Sequence, residues 1–139
     1  MSAVATIFWI LTAGVGTFMV TIWRRHGCLS GDPGATHFRA PLVFSHLGIA
    51  VAGLIVWVVF VTTSAPAWAW VACVAVVVAA VLGGLLLRRW ATDGRLVMSR
   101  SDASAGALAE QHIPRLPVVL HGVFAGVTLV LVLLVAFRG

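Results

Sequence analysis

Lysine and tyrosine are missing from the 139-residue sequence, and only four residues are acidic. Charged residues make up 9% of the chain, against about 25% in soluble domains. A water-facing globular surface cannot be built from so few. Disorder is excluded as well, because it needs low hydrophobicity and high charge, and 61% of these residues are hydrophobic. The two cysteines, Cys28 and Cys73, give no disulfide framework. Cys73 falls in an apolar run and reads as a small core residue; Cys28 falls in an Arg-flanked loop and reads as a reduced thiol. There is no Gly-rich phosphate loop, no Ser/His/Asp set and no paired carboxylates. A soluble-type active site therefore has nothing to be built from.

What the sequence does have is apolar length. Mean hydropathy is +1.09. A membrane-crossing helix needs about 20 mainly apolar residues, and four stretches supply them: Ala3 to Trp23, Pro41 to Thr62, Pro66 to Leu87 and Pro117 to Phe137. None contains Asp, Glu or Arg. Three of them open on proline, which is tolerated in a first helical turn because its missing N–H would be unpaired there. The first stretch has no basic leader and ends in Trp23-Arg24-Arg25, so it reads as a retained helix rather than a signal peptide. The expected fold is all-α and integral to a membrane. It is a single domain over residues 1–139, with four transmembrane helices in an up-down bundle built from two tandem helical hairpins, about 1–62 and 63–139.

Net charge is +5. The arginines lie in short loops beside apolar runs, so the basic balance points to the bilayer surface. A nucleic-acid partner would require a polar groove-reading face that the chain lacks. Eight of the nine arginines fall in the loops at about 24–40 and 88–116, and only Arg138 lies on the other side. By the positive-inside rule both loops are expected to be cytoplasmic and both termini outside. Trp23 and Trp90 are expected in the cytoplasmic interfacial belt, and Trp68 and Trp70 in the outer one. Ser101 to Gln111 has the composition of a short surface helix. The Ala-, Val- and Arg-rich composition without lysine suggests a GC-rich genome and hence a bacterial plasma membrane.

Histidines mark an internal repeat. His37 and His46 are nine residues apart, as are His112 and His121, and an offset of 75 superposes both pairs. The first helix of each half matches at an offset of 67: Gly16 to Trp23 and Gly83 to Trp90 have the same spacing, each with an Arg pair beside the Trp. Two hairpins of one orientation imply a parallel repeat about an axis along the membrane normal. Spans two and four are then diagonal partners in the bundle, with His46 and His121 facing one another at one depth. His46 follows Pro41 by five residues, roughly 7 Å into its helix. At i+4 and i+7 from the histidines stand Ala50 and Gly53, and Ala125 and Thr128. Small residues on that face allow close helix packing or leave a slot for a flat ligand.

An ionisable residue inside a span is a functional hypothesis by default. Two opposed imidazoles above small residues suit axial ligation of a b-type haem iron by His46 and His121. Arg39 and Arg115 follow His37 and His112 closely, and arginine grips carboxylates in bidentate fashion. His37, His112, Arg39 and Arg115 are thus candidates for holding haem propionates. In outline, the span count and the His46/His121 pair resemble the four-helix haem b anchors of respiratory dehydrogenases and other bis-histidine membrane cytochromes. That resemblance implies electron transfer alongside other membrane subunits rather than an enzyme acting alone. Two other readings stand beside it. One is a non-catalytic helical accessory or assembly subunit of a respiratory, transport or secretion complex. The other is a small transporter or metal-handling protein with four histidines lining a path.

Overall fold

A computed structural model describes residues 1–26, 35–99 and 108–138. It is a bundle of four helices: α1 (Ser2–Arg25), α2 (Ala40–Thr63), α3 (Pro66–Ser99) and α4 (Arg115–Arg138), with a 3-10 turn at Ala109–His112. No strand occurs among the described residues. All four helices are long and apolar enough to cross a membrane, and no charged side chain interrupts their apolar stretches. Ile10, Phe18, Ile55, Val74, Val81 and Val130 are exposed on the outer faces. Lipid rather than water suits a surface of this kind. Cys28 and most of the Ser101–Gln111 segment lie outside the described residues.

Proline stands in the first turn of α2, α3 and α4 (Pro41, Pro66 and Pro117), where the lost N–H costs no helical hydrogen bond. Between α2 and α3 the chain reverses at Ser64, whose φ of 56° is left-handed. Its N–H closes the helix end on the Phe60 carbonyl at 2.8 Å. The other end of the bundle carries the arginine-rich connections. There α3 differs from the sequence expectation, because it runs on to Ser99 instead of stopping near Leu87. Hydropathy falls at Arg88, but the next eleven residues hold no proline, the single Gly94 weakens a helix without ending it, and backbone hydrogen bonding does not depend on polarity.

The helices form a ring in which α1 and α3 are diagonal, as are α2 and α4; neither diagonal pair makes backbone contact. Within the ring, α2 packs most closely on α3 and α1 on α4. The intimate pairs are therefore not the sequence-adjacent hairpins α1–α2 and α3–α4. Gly53 shows how close α2 and α3 come: a Cβ there would lie 2.9 Å from that of Ala75 and 3.1 Å from the Trp9 ring.

Two separate apolar clusters fill the interior. One, toward the Ser64 turn, is built on Ala5, Trp9, Trp57, Ala72, Val76 and Val132. The Trp57 indole donates to Thr6 Oγ1 at 2.9 Å, so this ring closes the core and does not face lipid. The other, at the arginine-rich end, gathers Trp23, Val43, Ala109 and Ile113. Trp23 is 1% exposed and its indole donates to Thr36 Oγ1 at 2.9 Å. This corrects the expectation of an interfacial belt residue: the connection before α2 folds back over the ring and supplies its acceptor. Trp68 and Trp70 are exposed near the Ser64 turn, as a belt requires. Cys73 is buried in the first cluster.

Gly53→Val should lower the stability of the detergent-solubilised protein by about 1–3 kcal/mol through overpacking, read as a fall in thermal midpoint. Gly14→Ala, with open space around it, should leave the midpoint unchanged or raise it slightly.

Candidate functional site

Between the two apolar clusters lies a layer that belongs to neither. It takes in Thr12–Gly16 on α1, His46–Ala50 on α2, Ala79–Gly83 on α3 and His121–Ala125 on α4. Each histidine reaches across to a neighbouring helix. His46 Nδ1 lies 2.9 Å from the Ala79 carbonyl oxygen, and His121 Nδ1 lies 3.0 Å from that of Thr12. A carbonyl only accepts, so each Nδ1 carries the proton and donates it. Each Nε2 is then left bare, with its lone pair available as a ligand.

Glycine makes both contacts possible. The side chain at position i+4 of a helix sits beside the carbonyl of residue i; this is why Thr17 and Thr21 hydroxyls reach the carbonyls of Ala13 and Thr17. Gly16 is i+4 from Thr12, and Gly83 is i+4 from Ala79. With no side chain there, the imidazole lies against the helix backbone. A Cβ on Gly16 would fall 3.0 Å from Cε1 of His121, and one on Gly83 would fall 3.0 Å from Cε1 of His46. The two contacts are related by the offsets found in the sequence, 67 between the first helices of each half and 75 between the second.

Across the bundle the two rings meet in an edge-type arrangement, with centroids 6.1 Å apart and planes inclined by 66°. With metal–nitrogen bonds of about 2 Å on either side of one ion, two imidazole centroids stand about 6 Å apart. The spacing therefore suits a shared metal atom. Thr12 and Thr128 bring their hydroxyls to 3.5 Å of one another nearby. Thr17 and Ser45 are exposed, and Thr17 bonds its own helix.

The outer candidates sit at the arginine-rich end, in contacts of their own. His37 is exposed; its Nδ1 lies 3.4 Å from Asp93 Oδ1, and Arg89 donates to its carbonyl. His112 stacks on His26, with centroids 3.9 Å apart and planes within 13°. His26 and His112 each turn Nδ1 to a carbonyl four residues earlier, Ile22 and Leu108. Arg39 and Arg115 are exposed where α2 and α4 begin.

Sequence reasoning missed Glu110, the only glutamate in the chain. It is fully buried. Its carboxylate accepts from Thr36 Oγ1 at 2.5 Å and from the His37 N–H at 2.7 Å, while its carbonyl accepts from the Trp90 indole. The two connections at this end and helix α3 thus meet on one residue. A lone acidic residue in a polar loop gives no sign of burial; its uniqueness was the only signal. Gly16 and Gly83 were visible in register, but their purpose appears only when the histidines are seen lying on them.

The ring nitrogens give a direct test. ¹⁵N spectra of labelled protein should show both span histidines as the Nδ1–H tautomer. Gly16→Leu should move the His121 signals and leave those of His46; an Nε2–H pattern in the unsubstituted protein would contradict the geometry. Comparison with protein families, curated proteins and solved structures finds no match for the chain, so its chemistry rests on this arrangement alone.

Proposed function

We propose that the chain is a small membrane subunit that holds one b-type haem between His46 and His121 and passes single electrons. The observation that carries this reading is the opposed imidazole pair, 6.1 Å apart, set within the spans in the layer between two apolar clusters. Several features of the chain's own residues support it. Each ring is fixed by an Nδ1–H bond to a carbonyl, which orients Nε2. The surrounding helix positions are small: Gly16, Ala50, Ala79, Gly83 and Ala125. The helices split into two close pairs, α2 with α3 and α1 with α4, and each pair contributes one ligand to the seam between them.

When bound, haem would supply a one-electron iron couple. The protein would hold the iron through His46 and His121, keep water out of the layer and offer arginines at one end for the propionate carboxylates. Arg39 and Arg115 are candidates for that role by their place at the helix starts. The same arginine excess sets the proposed orientation, with the arginine-rich end in the cytoplasm of a bacterial cell and both termini outside. A carrier of single electrons needs a donor and an acceptor, so partner subunits in the same membrane are part of the proposal.

The test is an absorption spectrum of the protein purified in mild detergent after expression with haem supplied. A Soret band is expected at one haem per chain. His46→Ala and His121→Ala should each reduce bound haem about tenfold or more, while His37→Ala should leave the band in place. Absence of the band, or its survival in both span-histidine variants, overturns the reading.

A further inference from the structure

The arginine-rich end carries a second, unrelated cluster of potential ligands. His37, Asp93 and Glu110 come from three different parts of the chain: the connection before α2, the extension of α3 and the 3-10 turn before α4. One ligand atom from each lies within 4.8 Å of the other two. In a tetrahedral shell with bonds of about 2.0–2.2 Å, neighbouring donors are about 3.3–3.6 Å apart. His37 Nδ1 and Asp93 Oδ1 already stand at 3.4 Å.

The state of Glu110 is the second observation. It is wholly buried, yet its oxygens are held by uncharged donors, the Thr36 hydroxyl and the His37 N–H. Nearby Arg89 gives its hydrogen bond to the His37 carbonyl. A buried carboxylate asks for a positive counterpart. Each of its oxygens takes one of these bonds and keeps a lone pair, and the bonds orient the carboxylate as the outer partners of metal ligands do. The same offsets relate His37 and Asp93 to His112 and His26, the stacked pair. Each pair joins both halves of the chain, and the repeat relates a His/carboxylate contact on one side of the bundle to two stacked rings on the other.

We infer that His37, Asp93 and Glu110 form a binding site for one divalent transition-metal ion of the zinc class. One imidazole nitrogen and two carboxylates are a donor set that such ions accept. Two carboxylates and a neutral imidazole balance a double positive charge. The side chain of His37 is 57% exposed, so the fourth position opens to solvent and takes water. Bound there, the ion ties the two arginine-rich connections to the end of α3. This site is independent of the haem reading.

Zinc titrated calorimetrically into the chelator-treated full chain in detergent tests this. One equivalent should bind, and Asp93→Asn and His37→Ala should each weaken it about tenfold or more. Glu110→Gln should do the same. Because Glu110 also holds the fold together, Asp93→Asn and His37→Ala are the deciding variants, with circular dichroism confirming helix content. His46→Ala combined with His121→Ala should leave zinc affinity unchanged, which separates this site from the histidine layer. Zinc should also slow amide exchange at Ala35–Arg39 and Ala109–His112. The inference fails if the unsubstituted chain binds no zinc, if Asp93→Asn and His37→Ala bind it as tightly, or if the binding is lost with His26→Ala and His112→Ala instead.

Discussion

A histidine among apolar helices must find its hydrogen-bond partner inside the protein, because the hydrocarbon offers none. Here both span histidines use a carbonyl that a neighbouring helix has already engaged in its own ladder, and they reach it over a glycine four residues on. Much of the bundle follows from that requirement. It explains why α2 lies close to α3 and α1 close to α4, since a ring can lie on a backbone only when no Cβ intervenes. It sets the rotation of α2 and α4, since each must turn its histidine inward. It also fixes the tautomer, and with it the one nitrogen left free on each ring.

The two halves of the chain share this centre and differ elsewhere. Toward the Ser64 turn, Trp9 and Trp57 occupy places that Val76 and Val132 fill in the other half, and all four are buried. At the arginine-rich end, where each contact joins both halves, the repeat relates the His37–Asp93 contact to the His26–His112 stack. Positions at a water-facing end can change polarity at little cost in packing, whereas the glycine and histidine of the central layer constrain each other directly. The centre accordingly keeps the symmetry that the ends have lost.

Glu110 shows how the arginine-rich end is held without a large apolar core. Its carboxylate and carbonyl gather Thr36, the His37 main chain and Trp90, while Thr36 also takes the Trp23 indole. Hydrogen bonds to a buried charged group are among the stronger ones, and several on one residue order a connection that short-range preferences leave open. The Ala109 N–H bond to the Ala35 carbonyl at 2.8 Å adds a main-chain tie between the same two connections. Trp23 and Trp90 are the matched pair at this end, and each finds its acceptor on a connection rather than at a lipid headgroup.

The number of helices, their apolar stretches and the register of the histidines were all written in the sequence, because hydropathy and spacing are properties of the chain taken in order. So was the diagonal placing of α2 and α4, which an up-down ring of four imposes. The folded structure alone decided which helices embrace, that α3 outlasts its apolar run, that Trp23 turns inward and that the sole glutamate is buried. The physical reason is that each of these depends on what lies opposite a residue once the helices are rotated and paired. A ring that meets a bare stretch of backbone, or a carboxylate that meets a hydroxyl seventy-four positions away, leaves no trace in the order of residues along the chain.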